Sequence, residues 1–293
     1  MAADWRALYR FESHFLATDR GRLHYVDEGR GAPLLMVHGN PTWSFYYRNL
    51  INEFRGSHRA VAVDHLGCGL SDKPQDAPYT LAMHTENLCR LIEQLDLRNI
   101  TLAVHDWGGA IGLGAAVKLR ERFSRLVIFN TGAFPPPYVP HRIRVCRTPI
   151  VGRIALRGLN LFARAAITMA TENPGGLPPE VAAGLLAPYD SWADRVAIWG
   201  FVRDIPLTQR HPTMKVLADL EAALPNLTAL PIQIHWGLRD WCFTTECLRR
   251  FERVFPRADV HRHADAGHYV VEDAIDDILP AMREFLERPL PPA

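Results

Sequence analysis

Short apolar runs alternate with helical patterns along the first 130 residues, and this alternation restricts the fold more than any other feature of the sequence. Four runs of strand length occupy residues 33–37, 60–63, 100–104 and 126–129. Between the second and third runs, residues 80–95 repeat apolar side chains at helical spacing. Because strands that alternate with helices form βαβ units, the sequence predicts an α/β fold with a mostly parallel, doubly covered sheet.

The alternation is interrupted in the middle of the chain. Prolines and glycines separate helical stretches within residues 134–227, where no strand-like run occurs. Strand-like runs return at residues 232–235 and 258–261. We therefore expect a main domain of residues 1–133 and 228–293, with a helical cap domain of residues 134–227 inserted into it.

Charge and cysteine content exclude several classes of protein. The chain has 33 Lys and Arg against 32 Asp and Glu, so it has no basic excess for binding nucleic acid. No apolar run reaches the roughly 20 residues that span a bilayer, and the N-terminus lacks the apolar centre of a signal peptide. Five cysteines without a C-x-x-C pattern indicate free thiols. We expect a soluble, cytoplasmic protein.

The residues that follow the strand-like runs are the candidates for chemistry, because open parallel sheets bind ligands at the carboxyl ends of their strands. Asp106 lies in V-H-D-W-G, where a strand turns sharply into a Gly-rich helix. This is the place of the serine in a nucleophile elbow. A carboxylate there would attack a carbon electrophile and form an alkyl ester. The alternative is that Asp106 only caps the helix, but the flanking His105, Trp107 and paired glycines favour the nucleophile.

An alkyl ester needs a base that activates water. His268 follows the last strand-like run, and Asp240 follows the run before it. The chain order of Asp106, Asp240 and His268 matches nucleophile, acid and histidine. Asp265 is the rival acid, but its position in the same loop as His268 is more typical of a turn residue.

Two neutral donors complete the predicted site. Asn40 follows the first strand-like run of the main sheet, and Trp107 follows Asp106 directly. Their side-chain N–H groups could stabilise a departing anion. The alternatives are a turn asparagine before Pro41 and a tryptophan that only packs. No metal cluster stands out, and the glycines at 67 and 69 lack the third glycine of a dinucleotide site, so we expect neither metal nor cofactor.

Four motifs together resemble the haloalkane dehalogenases of the α/β-hydrolase superfamily. They are H-G-N-P-T-W (residues 38–43), D-H-L-G-C-G-L-S-D-K-P (64–74), H-D-W-G-G (105–109) and W-G-L-R-D (236–240). The chain resembles the third dehalogenase subfamily, because its acid would be Asp240 and no glutamate follows the strand-like run at residues 126–129. The resemblance covers nearly the whole chain.

The resemblance implies an α/β-hydrolase fold with a cap and a role for each site residue. Asp106 would be the nucleophile, His268 the base and Asp240 the acid. Asn40 and Trp107 would bind the halide, and their backbone N–H groups would form the oxyanion hole. The implied reaction cleaves a carbon–halogen bond through an aspartyl alkyl ester and gives an alcohol, a halide and a proton.

Other functions remain open on the same residues. The same subfamily contains β-lactone decarboxylases that release a cis-alkene and CO2, and the five site residues would suit that reaction too. An epoxide hydrolase would need two cap tyrosines, for which Tyr138 and Tyr189 are the candidates. A non-catalytic protein of the fold ranks last. We expect a small, apolar substrate. The chain could act as a homo-oligomer or together with a partner enzyme, and the sequence leaves both possibilities open. Some of seven cap side chains should line the substrate cavity, namely Leu161, Phe162, Ala166, Met169, Trp192, Trp199 and Phe201.

Overall fold

A computed structural model describes residues 4–290. One sheet of eight strands forms its centre, in the order β1-β2-β4-β3-β5-β6-β7-β8. The strands are β1 (Ser13–Thr18), β2 (Gly21–Glu28), β3 (Pro33–Val37), β4 (Arg59–Val63), β5 (Ile100–Asp106), β6 (Phe123–Thr131), β7 (Ile232–Gly237) and β8 (Asp259–His263). Strand β2 pairs antiparallel with β1 and β4, and all other pairs are parallel. The mostly parallel α/β sheet expected from the alternation is confirmed.

Helices cover both faces of the sheet. Successive strand side chains point to opposite faces, and because both faces are apolar, each needs a layer of helices to bury it. On β3, Leu35 and Val37 belong to one apolar core, and Leu34 and Met36 belong to the other. The helices of these layers are α1 (Arg48–Phe54), α2 (Leu81–Gln94), α3 (Trp107–Lys118), α10 (Thr245–Val254), α11 (Val270–Asp273) and α12 (Ile275–Glu287). No helix within residues 4–290 is long and apolar enough to cross a bilayer.

Only helical elements lie between β6 and β7 in this part of the chain. They include α4 (His141–Cys146), α5 (Val151–Arg153), a π-helical turn (Ile154–Gly158), α6 (Leu161–Met169), α7 (Pro179–Leu186), α8 (Val196–Asp204) and α9 (Pro212–Ala223). Helix α9 packs against α2 and α3 of the sheet layer, whereas α4, α5, the π-helical turn and α6 pack on one another. The domain boundaries stay a prediction.

Two buried side chains organise the inserted helices. The Arg195 guanidinium donates hydrogen bonds to the backbone oxygens of Arg157, Gly158, Tyr189 and Asp190. At the end of α8, the Asp204 carboxylate accepts from the backbone N–H of Leu81, the first residue of α2. This hydrogen bond ties the insertion to the helix layer of the main sheet.

The buried Arg48–Glu272 ion pair joins α1 to α11. Two parallel bonds of 2.6 and 2.8 Å connect the guanidinium to the carboxylate, and both side chains are nearly inaccessible. Replacing Glu272 by Gln leaves the guanidinium buried without its counter-charge. We expect the free energy of unfolding to fall by about 3–5 kcal/mol. The matched control is Asp219→Asn, which breaks the exposed Lys215–Asp219 pair of α9 and should cost about 1 kcal/mol or less. Urea denaturation would measure both, and equal losses would contradict the prediction.

Candidate active site

Asp106 lies at a sharp turn where β5 ends and α3 begins. Its backbone has a φ of 52°, a left-handed conformation that side-chain-bearing residues rarely adopt. The Thr131 hydroxyl donates to the Asp106 backbone oxygen and holds the turn. A methyl group at Gly108 would overlap the backbone of Val37, and one at Gly109 would overlap Thr131. Helix α3 can approach the sheet this closely only because both positions lack a side chain.

The Asp106 carboxylate makes no capping bond to α3. Instead, its Oδ1 accepts the backbone N–H of Asn40 at 2.6 Å. Burial raises the pKa of Asp106, while His268 and the backbone N–H groups of Asn40 and Trp107 oppose that rise and leave the pKa above its ordinary value. The helix-cap interpretation is therefore wrong. The carboxylate faces the site, where His268 and two backbone N–H groups partly offset the cost that burial places on its ionised form.

The His268 imidazole lies between two carboxylates. Its Nδ1 is 2.9 Å from Asp240 Oδ2, and its Nε2 is 3.6 Å from Asp106 Oδ2. Burial lowers the pKa of His268, but the charges of Asp240, Asp106 and Asp273 and the hydrogen bond to Asp240 together outweigh burial, so the pKa lies above the usual value. With Nδ1 committed to Asp240, Nε2 is the nitrogen that faces the Asp106 carboxylate. Asp265 is exposed and forms an ion pair with Arg239, away from this site.

Asn130 is a site residue that the sequence analysis did not identify. Its side-chain amide donates to Asp240 Oδ2 at 3.0 Å, while its amide oxygen accepts the backbone N–H of Gly237 at 2.7 Å. The backbone N–H groups of Cys242 and Phe243 bind the other Asp240 oxygen. Asn130 therefore positions the acid rather than acting on the substrate. Its place directly after the fourth apolar run was the available signal.

The structure brings Asn40 and Trp107 next to the Asp106 carboxylate. The Asn40 side chain is buried, and its Nδ2 lies 3.4 Å from the backbone oxygen of Ile198. The Trp107 ring packs against Phe201, with 5.4 Å between ring centroids. Both residues line the space above Asp106, which suits the donor role that the sequence predicts for them.

Two apolar cavities meet at this carboxylate. The first, of about 130 Å³, runs below Pro136, Pro137 and Tyr138. The second, of about 410 Å³, runs between α4 and α6 and reaches His268. Five residues line both cavities, namely Asn40, Asp106, Ile143, Phe162 and Cys242. The Asp106 carboxylate therefore lies where the two cavities meet, not at the end of one tunnel.

Four of the seven cap side chains singled out by sequence line the second cavity, namely Leu161, Phe162, Ala166 and Met169. Trp192, Trp199 and Phe201 line neither cavity. Trp192 lies under the Arg153 and Arg157 guanidinium groups, and Phe201 stacks on His84. These aromatic rings contribute to the packing of the cap and do not line either cavity.

The epoxide-hydrolase alternative loses its tyrosine pair. The buried Tyr189 hydroxyl donates to the Thr42 backbone oxygen and Tyr189 lines neither cavity, so only Tyr138 of the pair lines a cavity. Within residues 4–290, no three side chains of the metal-ligating types are grouped as a metal site.

Comparisons with known proteins agree with this geometry. A family model described as an alpha/beta hydrolase fold matches residues 32–145. The cis-3-alkyl-4-alkyloxetan-2-one decarboxylase of Shewanella oneidensis is 41% identical to this chain, over 95% of this chain and 89% of its own length. The protein of the same name from Xanthomonas campestris is 40% identical, over 91% and 92%.

Haloalkane dehalogenases are also similar to the chain. Haloalkane dehalogenase 2 of Mycobacterium tuberculosis is 34% identical over 94% of this chain and 96% of its own. The solved structure of a haloalkane dehalogenase from Agrobacterium tumefaciens matches with a TM-score of 0.84 and 25% identity, over 94% of this chain and 96% of that one. The chain therefore belongs to the α/β-hydrolase fold family and, within it, to the haloalkane dehalogenase-like enzymes.

Proposed function

We propose that the chain decarboxylates a β-lactone that carries alkyl chains on two adjacent ring carbons. The observation that carries this proposal is the pair of apolar cavities that diverge from Asp106. A cis-3-alkyl-4-alkyloxetan-2-one has a small polar ring with two apolar arms, so the ring would lie at the junction and each arm in one cavity. Two relatives whose names give this compound as their substrate are 41% and 40% identical to the chain, and this similarity supports the proposed reaction.

The reaction balances without water or cofactor. Asp106 attacks the alkyl-bearing ring carbon that is bonded to the ring oxygen, not the carbonyl carbon. The bond between this carbon and the ring oxygen breaks, which gives a free carboxylate and an alkyl ester of Asp106. Asn40 and Trp107 donate to the carboxylate as its charge develops. Loss of CO2 then forms the alkene, and the ester bond returns its electron pair to Asp106. Inversion at the attacked carbon followed by anti elimination converts a cis-lactone into a cis-alkene.

His268 and Asp240 act on the Asp106 carboxylate in this scheme. Because the imidazole Nε2 is 3.6 Å from Asp106 Oδ2, a protonated His268 would stabilise the carboxylate as it departs from the ester. The hydrogen bond to Asp240 keeps the pKa of His268 raised and fixes its orientation.

Hydrolysis of carbon–halogen bonds is the second candidate function. The observation that favours it is the placement of Asn40 and Trp107 beside the nucleophile, where two N–H donors could hold a departing halide. In this reaction Asp106 would form the same kind of ester, and His268 would activate water to release the alcohol. The similarity to the Mycobacterium tuberculosis dehalogenase supports this candidate.

A parallel assay separates the two functions. Purified protein would receive a long-chain cis-β-lactone or a 1-bromoalkane of matched length, with alkene, CO2 and bromide measured. We expect kcat/KM for the lactone to exceed that for the bromoalkane by at least about a hundredfold, a preference of about 3 kcal/mol. Asp106→Asn should abolish both reactions. Bromide release at equal or higher kcat/KM would instead assign the chain to dehalogenation.

A second prediction from this proposal concerns the ester on Asp106. With a reactive bromoalkane, His268→Ala should be alkylated once and then stall, because no base remains to activate water. Intact-mass spectrometry should show one added alkyl group on the peptide that contains Asp106. Asp265→Asn, an exposed change in the same loop as His268, should turn over without accumulating the ester. An unmodified His268→Ala protein would remove the ester from the mechanism.

The third prediction tests the two arms. Ala166 lines only the second cavity, so Ala166→Phe should fill that arm. For a lactone with two long chains, kcat/KM should fall by about tenfold or more, while a lactone with one long and one methyl substituent should be spared. Trp192→Phe, outside both cavities, is the control. Equal losses for both lactones would contradict the division of the substrate between two arms.

A further inference from the structure

The first half of the inserted helices carries one sign of charge. Residues 134–171 contain six arginines and no aspartate or glutamate, although the whole chain has a net charge of only +1. Four of these arginines are exposed, namely Arg142, Arg144, Arg153 and Arg164. None of the four forms an ion pair with a carboxylate among residues 4–290. Their charge therefore faces solvent without compensation.

The same segment exposes most of the large apolar side chains on the surface. Seven of the thirteen exposed large apolar residues in the described part of the chain lie between positions 138 and 161: Tyr138, Val145, Ile150, Val151, Ile154, Leu159 and Leu161. Ile150 is 74% exposed and Val151 is 64% exposed. Single exposed apolar residues are ordinary on a protein surface, but a cluster of this size marks an interaction site.

Both cavities reach this surface. Arg142, Val145, Val151 and Leu161 are exposed to solvent and also line the second cavity, whose far wall includes Asp106 and His268. They therefore form the rim of its mouth. Tyr138 has the same double position on the first cavity. We call the surface formed by these exposed residues of segment 138–164 the cap face.

We propose that the cap face binds the surface of a bilayer that contains anionic phospholipid, and that the cavity mouths open towards the acyl chains. Arginine is attracted to the negative headgroups, and the exposed isoleucine, valine and leucine side chains would enter the boundary between headgroups and acyl chains. An acidic protein partner would match the charge alone. A bilayer matches the charge, the apolar side chains and the apolar route to Asp106. The inference rests on the proposed function only for the long-chain substrate that would use this route.

Vesicle sedimentation tests the proposal without substrate. The purified protein would be mixed with vesicles of phosphatidylcholine, or of phosphatidylcholine and phosphatidylglycerol in equal parts. Binding should be at least about tenfold tighter to the phosphatidylglycerol vesicles and should weaken as salt is added. The triple variant Arg144→Gln, Arg153→Gln and Arg164→Gln should lose at least about tenfold in affinity. These three arginines line neither cavity.

A matched triple variant controls for net charge. Arg20→Gln, Arg30→Gln and Arg249→Gln remove three exposed arginines on other parts of the chain, and binding should stay within about twofold of the parent. Ile150→Ser with Ile154→Ser should weaken the binding that persists at high salt, where charge is screened. The thermal midpoint of each variant, compared with that of the parent, verifies folding.

Three outcomes would overturn the proposal. They are equal binding to both kinds of vesicle, equal losses in the two triple variants, and a cap face covered by a second copy of the chain in solution. The vesicle assay and the lactone assay test the two proposals independently. Vesicle binding without lactone turnover would reject the proposed reaction alone, and lactone turnover without vesicle binding would reject the cap face alone.

Discussion

The hydrogen bond from the Asn40 backbone N–H to the Asp106 carboxylate is the contact on which the site depends. A carboxylate that is 6% exposed is costly to ionise, so the fold must bring donors to it. The end of β3 supplies the N–H of Asn40, the start of α3 supplies that of Trp107, and the loop after β8 supplies the imidazole. These elements meet because β4 and β5 lie on opposite sides of β3, so the chain changes direction across the sheet at this point.

The cost of that arrangement is met by contacts just outside the reacting atoms. The left-handed backbone of Asp106 is held by Thr131 and by the close approach of α3 to the sheet. Asp240 keeps its direction through Asn130 and two backbone N–H groups of the following loop. The His105 Nε2 is hydrogen bonded to the backbone oxygen of His268 at 2.8 Å, which fixes the loop that carries the base. Asp106, Asp240 and His268 are therefore held in place by the fold itself, as preorganised catalysis would require.

The sequence allowed the sheet to be predicted, and it pointed to five candidate positions that the structure brings together, because each has a local signal. A buried strand is a short apolar run, and the elbow combines a strand end, a carboxylate and paired glycines. Asn130 had only one such signal, its place directly after the fourth apolar run, and nothing in the sequence indicated that its amide would meet Asp240, 110 positions away. The cap residues that line the cavities were harder to predict for another reason. A helix that lines a cavity and a helix that packs on its neighbours show the same apolar periodicity, so Phe162 and Phe201 could not be distinguished until their contacts were known.

The shape of the substrate, more than the reacting groups, separates the two candidate functions. Both proposed reactions would pass through an alkyl ester of Asp106, and the fate of that ester would depend on its neighbouring carbon. An ester made from a haloalkane has no leaving group there, so only water delivered by His268 can release it. An ester made from a β-lactone carries a carboxylate on that carbon, and loss of CO2 is an intramolecular step that needs no water. Cavities lined by Phe162, Ile143 and Cys242 hold apolar chains better than ordered water. They therefore favour the substrate whose ester can break down in a dry site.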